Sequence, residues 1–569
     1  MKVISIGGGP AGSTLGTLIK RYRPKIDVLI LEREKFPRDH IGESQLPVIC
    51  TVLDEMGCWD KIERAGFPVK IGATYRWGIT DDLWDFEFLP YGHFEEEPRP
   101  AKFVGQRTKT AFQVDRSIYD EILLDHAKEL GCEVREETKV VEILREGDRV
   151  TGLKLDDGTI ETADFYVDCS GHAGILRRAM GVEVDVPTKL MNLAFYDYFQ
   201  NADWPVHLGI GGTRIQIMSV GYGWIWFIPI GETRTSCGLV VPVEYFKQSG
   251  MTPEQMFEKA IAEEPRIAAF LKPSTREHKF TTTKDWSFLS ERLTGENWAL
   301  CGEAAGFADP ILSAGLSLAH TGAKQLAYIL IDMDRGTHDA PWLKQFYDDT
   351  QRTRIRQHIR FADFWYTKNK HFTELKENVS KIAEDVGLLL DANEAFQWIG
   401  TGGFANDNFL IPQVGEYNIS ALKWISQMFT GKPVDWAIGK NNIFRLNLDG
   451  AKSERIPLMN DGRISEESCY SRAGKLLPQF GLYELMVRIL KNETRADRIV
   501  EALTGALEYH PGDRDLVFNL SLQILESMIQ DGWVDASFKE GVPLLPYETP
   551  EDIETFHSHG AAVENQTPA

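Results

Sequence analysis

Three short stretches hold side chains and glycines in an order that could do chemistry. Gly7, Gly9 and Gly12 stand in GxGxxG spacing directly after the apolar run Lys2-Val3-Ile4-Ser5-Ile6. One glycine makes a tight turn, one lets a diphosphate approach bare backbone, and one lets a helix pack on a strand. Twenty positions beyond Gly12, Glu32 ends a second apolar run, where an acid accepts hydrogen bonds from a ribose hydroxyl. With a helix N-terminus supplying N–H groups and positive dipole, that chemistry is dinucleotide binding. The second stretch, residues 298–310, joins an apolar strand to Gly302, Glu303 and small residues opening a helix. A carboxylate there would reach a sugar-like chain, and the N–H groups would face an anion or an electron-rich ring. In the third, residues 310–315, successive backbone N–H groups at a turn entering a helix would make an anion nest.

Two further features have a plain structural reading. Trp224 and Trp226 alternate on one face of residues 223–229, a strand that Pro229 terminates, and large aromatics on a strand are ordinarily core. Lys70, set among Phe67, Pro68, Val69 and Ile71, would by default be a solvated surface charge. The 13 histidines show no metal-binding spacing and no serine sits in a nucleophile elbow. Seven scattered cysteines without CxxC spacing disfavour a disulfide framework or a structural zinc site and fit a reducing cytoplasm.

The elements that must position these residues are legible in outline. Lys2 to Glu32 reads as strand, helix and strand, the opening of a Rossmann crossover. Residues 138–170 alternate like a meander that feeds a buried strand, and residues 190–242 read as an antiparallel sheet able to floor a ligand cavity. From Pro341 the pattern turns mostly helical, Phe361 to Tyr366 with His358 and His371 reads as helical core, and the tail after about Ser558 is expected to be disordered. The expected fold is therefore α/β: a Rossmann-like nucleotide-binding domain (1–75, 101–185 and 285–340), an antiparallel-sheet substrate domain (76–100 and 186–284), and a mostly helical C-terminal region (341–569). The 569 residues are enough for several compact units. With 62 Lys plus Arg against 84 Asp plus Glu, the net charge of -22 repels nucleic acid and anionic membranes. No run approaches the 18 or so apolar residues that a membrane span needs.

Residues 298–310 resemble the second FAD fingerprint of flavoprotein monooxygenases, with Glu303 where that family usually has Asp, and Asp309-Pro310 matches its pattern. Asp168-Cys169-Ser170-Gly171 resembles the same family's turn after the meander, and Arg116 matches its flavin-proximal arginine. Gly223-Trp224-Ile225-Trp226-Phe227-Ile228-Pro229 fits WxWxIP, which marks the flavin-dependent halogenases. Arg38, Ile41-Gly42-Glu43-Ser44, Pro47, and residues 67–73 followed by Trp77-Gly78 extend that resemblance over residues 1 to about 370.

It implies a cofactor set of Gly7, Gly9, Ala11, Gly12, Glu32, Arg33, Arg38, Ser44, Arg116, Gly302, Glu303, Gly306 and Asp309 around FAD. It also implies Lys70 as the lysine that relays hypohalous acid to substrate, Trp224 and Trp226 as the wall between flavin and substrate, and the amides of Ala314 and Gly315 as halide donors. The implied substrate is a phenol or pyrrole, free or tethered to a carrier protein, because Leu312 stands where tryptophan halogenases carry a glutamate. With a single glycine-rich dinucleotide turn, electrons would come either from transiently docked NAD(P)H or from flavin reduced by another protein, and the resemblance implies FAD reduced by a separate flavin reductase. Asp285 is a candidate for covalent FAD attachment, with a solvated loop acid the plainer reading. The same two fingerprints fit an FAD-dependent aromatic monooxygenase or isoprenoid reductase using NAD(P)H, and also a flavin-binding protein without catalysis.

Overall fold

The computed structural model describes residues 1–89, 92–189, 191–208, 211–385, 394–395, 413–414, 417–508, 513–546 and 556–559. The chain forms two compact units: Met1–Val386 with Asp461–Arg463 and Ile553–Ala569, and Gly387–Asn460 with Ile464–Asp552.

In the first unit the short runs of Val, Ile and Leu build a five-stranded parallel sheet. Its strands lie in the order Trp298–Leu300, Phe165–Asp168, Lys2–Ile6, Asp27–Leu31, Glu133–Arg135. Nearly every residue in the three central strands is buried, as a sheet covered on both faces requires. Ile6 is in register with both Leu31 and Asp168, and Asp168 with Leu300. Gly7, Glu32, Cys169 and Cys301 therefore leave the sheet along one edge, the carboxyl ends where open α/β sheets bind ligands. The expected meander is the three-stranded sheet Val140–Glu146, Arg149–Leu155 and Ile160–Glu161.

A ten-stranded sheet stands beside it, and all its pairings are antiparallel except one. Its path runs Thr275–Arg276, Met191–Gln200, Arg234–Pro242, Gly223–Pro229, Gly212–Val220, Val69–Arg76, Leu83–Glu87, Phe556–His559. The parallel pair is Gly212–Val220 with Val69–Arg76. This is the α/β architecture with an antiparallel sheet that the sequence predicts. Phe556–His559 extends the edge at Leu83–Glu87, and the rest of the tail expected to be disordered lies outside the described residues.

The second unit combines the helices Gly481–Leu490, Ala496–Leu507 and Arg514–Gln530 with a three-stranded sheet of Lys452–Asn460, Arg463–Arg472 and Lys475–Pro478. Among the described residues no helix is long and apolar enough to cross a membrane, and no group of His, Cys, Asp and Glu could hold a metal ion. All seven cysteines are free and buried.

Candidate active site

The glycine turn is set by backbone crowding. Gly7 has φ +114°, and a Cβ there would lie 2.3 Å from the Cys169 carbonyl oxygen; one at Gly12 would lie 2.0 Å from that of Gly7. Only glycine fits either place. Gly9 precedes the helix Pro10–Tyr22, which opens on Pro10, buries Ala11 and has no side-chain cap. At Gly9 a Cβ would meet one atom within 4 Å, Arg38 Nη2 at 3.6 Å. The neighbouring Nη1 is buried without a hydrogen bond, its closest carboxylate being Asp120 at 3.5 Å. An uncapped helix end, an open glycine and a guanidinium nitrogen without a hydrogen bond together fit the diphosphate of FAD. Glu32 is buried at the next strand end, where its carboxylate accepts from Gly8 N at 2.8 Å and Glu34 N at 2.9 Å. Arg33 is exposed and pairs with Glu34 at 3.2 Å.

The second fingerprint faces the first across the same edge. Gly302 has φ +63°, and a Cβ there would lie 3.4 Å from that of Ala11 and 3.6 Å from that of Ala319. Glu303 points its carboxylate between Gly171 and Gly315, at 3.7 and 4.0 Å from where their side chains would begin. Burial raises its pKa and the Arg116 charge opposes the rise. Arg116 binds Asp120 bidentately at 2.6 and 2.8 Å and donates to the carbonyls of Ile41 and Gly42 at 2.8 and 3.0 Å. It thus ties the Gly42–Ser44 loop to the helix Arg116–Glu129. Asp168 spends both oxygens on its own turn, accepting from Ser170 N, Leu176 N and Arg177 N. Gly306 is a close approach, since a Cβ there would come within 2.8 Å of the Phe288 carbonyl.

After Asp309 the chain makes a 3-10 turn, Pro310–Leu312, passes through Ser313 in the left-handed region at φ +56°, and enters the helix Ala314–Arg335. That helix has no side-chain cap, so Ala314 and Gly315 stand at a bare N-terminus next to a left-handed residue, the geometry of an anion nest. Leu312 is buried. Asp285 belongs to the strand Thr281–Trp286, and its side chain lies outside the described ones.

Lys70 is 2 % exposed, and its ammonium donates to the Gln45 carbonyl at 2.9 Å and lies 5.4 Å over the Phe88 ring. A shift in register decides which way it faces. Lys70 pairs with Thr213, but Gly72 pairs with Arg214, so Ile71 is an extra residue. Strict alternation would group Lys70 with Gly72, Thr74 and Arg76. The bulge instead groups it with Thr213, Ile215 and Ile217. Ile217 is opposite Trp226 and Ser219 opposite Trp224, so Lys70 shares a sheet face with both tryptophans. The plain reading of a surface lysine is thereby set aside, and the tryptophans prove buried as well.

The two indoles stand 6.1 Å apart. Trp226 donates to Ser236 Oγ at 3.1 Å and covers Gly238, whose Cβ, if present, would lie 2.2 Å from the ring. Trp224 donates to the Tyr366 hydroxyl at 2.6 Å, which in turn donates to Asp309 at 3.4 Å. Burial pushes the Asp309 carboxyl up to about 7. Tyr366 thus does more than fill the helical core of residues 361–366: it couples the tryptophan strand to the acid that opens the nest. His320 likewise joins three helices, hydrogen-bonding with Thr14 and the Tyr119 hydroxyl, both at 2.8 Å. Sequence reasoning missed Asp120, Gly238 and His320, the last two because their partners come from other elements. The order of Asp120 four residues after Arg116 is the one signal that could have shown a pair.

Comparison with known proteins identifies the family. The family model described as tryptophan halogenase matches residues 2–99 and 92–375. A 1H-pyrrole-2-carbonyl-[peptidyl-carrier protein] chlorinase of Pseudomonas fluorescens is 32 % identical over 65 % of this chain and 84 % of its own length. A tryptophan 2-halogenase of Chondromyces crocatus is 31 % identical over 61 % of this chain, which spans 64 % of that protein. Among solved structures, the myxobacterial chondrochloren halogenase CndH superposes with a TM-score of 0.58 at 29 % identity, covering 68 % of this chain and 90 % of that one. CmlS, a flavin-dependent halogenase, shares the fold with a TM-score of 0.71 at 23 % identity over 96 % of this chain and 98 % of its own. With the matched segments holding both nucleotide turns, Lys70 and the paired indoles, the chain belongs to the tryptophan halogenase family of flavin-dependent halogenases.

Proposed function

We propose that the enzyme uses reduced FAD, oxygen and chloride or bromide to make a hypohalous acid, which Lys70 relays to an electron-rich aromatic substrate. The observation that carries this reading is a buried lysine turned by a bulge onto the face that holds Trp224 and Trp226. FAD bound at the glycine turns would supply the electrons with which oxygen oxidises a halide. Gly7, Gly9, Gly12 and Arg38 would hold its diphosphate and Glu303 its polyol chain, while the amides of Ala314 and Gly315 hold the halide. The indole wall keeps an organic substrate from the flavin and admits a small oxidant. The Lys70 ammonium then donates hydrogen bonds to that oxidant at the substrate side.

Leu312 offers no carboxylate to take a proton from the ring, so the substrate activates itself, as a phenol or a pyrrole does. The likeness to a chlorinase named for a pyrrolyl group on a peptidyl carrier protein supports a tethered pyrrole. Reduced flavin arrives from a separate reductase, and the seven free thiols suit a reducing cytoplasm.

The test supplies enzyme, reductase, FAD, oxygen and halide to phenols and pyrroles, free and carrier-bound, and reads products by mass spectrometry. Halogen isotope patterns are expected from wild type, with Lys70→Ala at least about 100-fold slower and FAD binding unchanged. A hydroxylated product formed without halide, or an undiminished pattern from Lys70→Ala, would overturn the reading.

A further inference from the structure

The steps above leave a set of buried polar side chains around Lys70 unused. Glu43 is 2 % exposed, and the hydroxyls of Ser236 and Tyr198 are the groups within reach of its carboxyl, whose two oxygens are buried without a hydrogen bond of standard distance and angle. The side-chain polar atoms of Ser44, Gln45, Gln113 and Thr213 are also buried and unpartnered. These residues are contiguous. Ser44 is bridged to Gln113, the Gln45 carbonyl accepts from Lys70, and Thr213 is the cross-strand partner of Lys70. Ser236 lies opposite both Ile228 and Tyr198, so it is on the tryptophan face, and it accepts the Trp226 N–H. Glu43 therefore fronts the same face as Lys70. Buried polar atoms in folded proteins are nearly all paired, so a run of unpaired ones marks a place for water or a small polar ligand.

We propose that Glu43, with Gln45, Gln113 and Thr213, forms a binding site beside Lys70 for one small neutral oxygen-bearing molecule: water at rest and hypohalous acid in turnover. Its second role rests on the halogenase reading given above. Glu43 as a carboxylic acid donates one hydrogen bond to the guest, and the amide and hydroxyl groups complete its shell. No bond is made or broken there; the site holds the oxidant within the protein until the lysine takes it. Burial pushes the Glu43 carboxyl up to about 7, with Asp115 adding to the rise and Ser236, Tyr198 and Arg234 opposing it, so the acid form is present near neutrality.

Two measurements test this. Infrared spectra of the flavin-free protein should show a carboxylic-acid C=O band near neutral pH that Glu43→Gln removes; identical spectra would overturn the proposal. In turnover, Glu43→Gln should consume reduced flavin at the wild-type rate while halogenated product per flavin falls about tenfold, the loss of one hydrogen bond. The difference should appear as hypohalous acid caught by an external diketone scavenger. Should Glu43→Gln fail to fold, Thr213→Val carries the same expectation. Wild-type yield per flavin in the variant, or loss of FAD binding in it, overturns the proposal. Failure of the halogenase reading looks different: wild type then yields no halogenated product, while the infrared band still reports on Glu43.

Discussion

At the scale of single residues, the two tightest glycines make opposite demands on the site. Gly12 lets the first helix pass the Gly7 carbonyl, so Gly12→Ala, with its Cβ 2.0 Å from that oxygen, should abolish FAD binding as read by flavin fluorescence. Gly238 stands opposite Trp226 in the antiparallel sheet. Its bare backbone seats the Trp226 ring, and Gly238→Ala should cost about 1–3 kcal/mol in urea denaturation, the usual range for overpacking a core. If the indoles separate flavin from substrate as proposed, the variant should still bind FAD but lose product per flavin. The first glycine was legible because GxGxxG brings its own neighbours within a few residues. Gly238 was not, since its constraint comes from an indole twelve residues away across a strand pair. Arg116 was legible as a site arginine and the i,i+4 spacing to Asp120 could have shown a pair, but its tie to the Gly42 carbonyl, 74 residues back, was not legible.

At the scale of elements, the strand Val69–Arg76 carries the least legible feature of the site. Its residues alternate like any strand, and nothing in Val-Lys-Ile-Gly announces that Ile71 is extra. The bulge is imposed by pairing with Gly212–Val220, a partner about 140 residues on. The parallel strands were easier to read, because burial on both faces leaves plain apolar runs. The helix Ala340–Thr367 makes a prediction of its own. Burial pushes its Asp363 carboxyl up to about 7, and Thr188 donates to that group. A raised acid favours the fold while protonated, so its contribution is whole below about pH 4 and is lost as pH climbs through about 7. His320 runs the other way. Burial lowers it to about 3, so its contribution is present above about pH 6.5 and fades as pH falls toward 3. Asp363→Asn removes the first slope and leaves the second. Its melting temperature relative to wild type should therefore rise between about pH 5 and pH 8; a difference that stays flat would refute the assignment.

At the scale of the whole molecule, the α/β architecture and the chemistry of the first unit followed from motifs in residues 1 to about 370. The second unit offered no such handle. Lys452–Asn460 is exposed along most of its length, so the two-residue rhythm that marks a half-buried strand is faint there. The net charge of -22 sets a repulsion toward other polyanions without saying what approaches instead. The seven thiols make a prediction for the intact chain. All are buried, and burial holds Cys50, Cys58 and Cys132 up at about 12. A maleimide reagent should therefore label native protein far more slowly than protein unfolded in guanidinium, where all seven react. Rapid native labelling would contradict this burial.

That seclusion of sulfur bears on how long one molecule can work. On the proposed reading, thiolates react with a hypohalite faster than almost any aromatic carbon does, so an enzyme that made one would itself be the nearest target. With every cysteine buried, such an oxidant would meet packed side chains before it met sulfur. Endurance over many turnovers is thus set by the core of the fold as much as by the chemistry at its mouth.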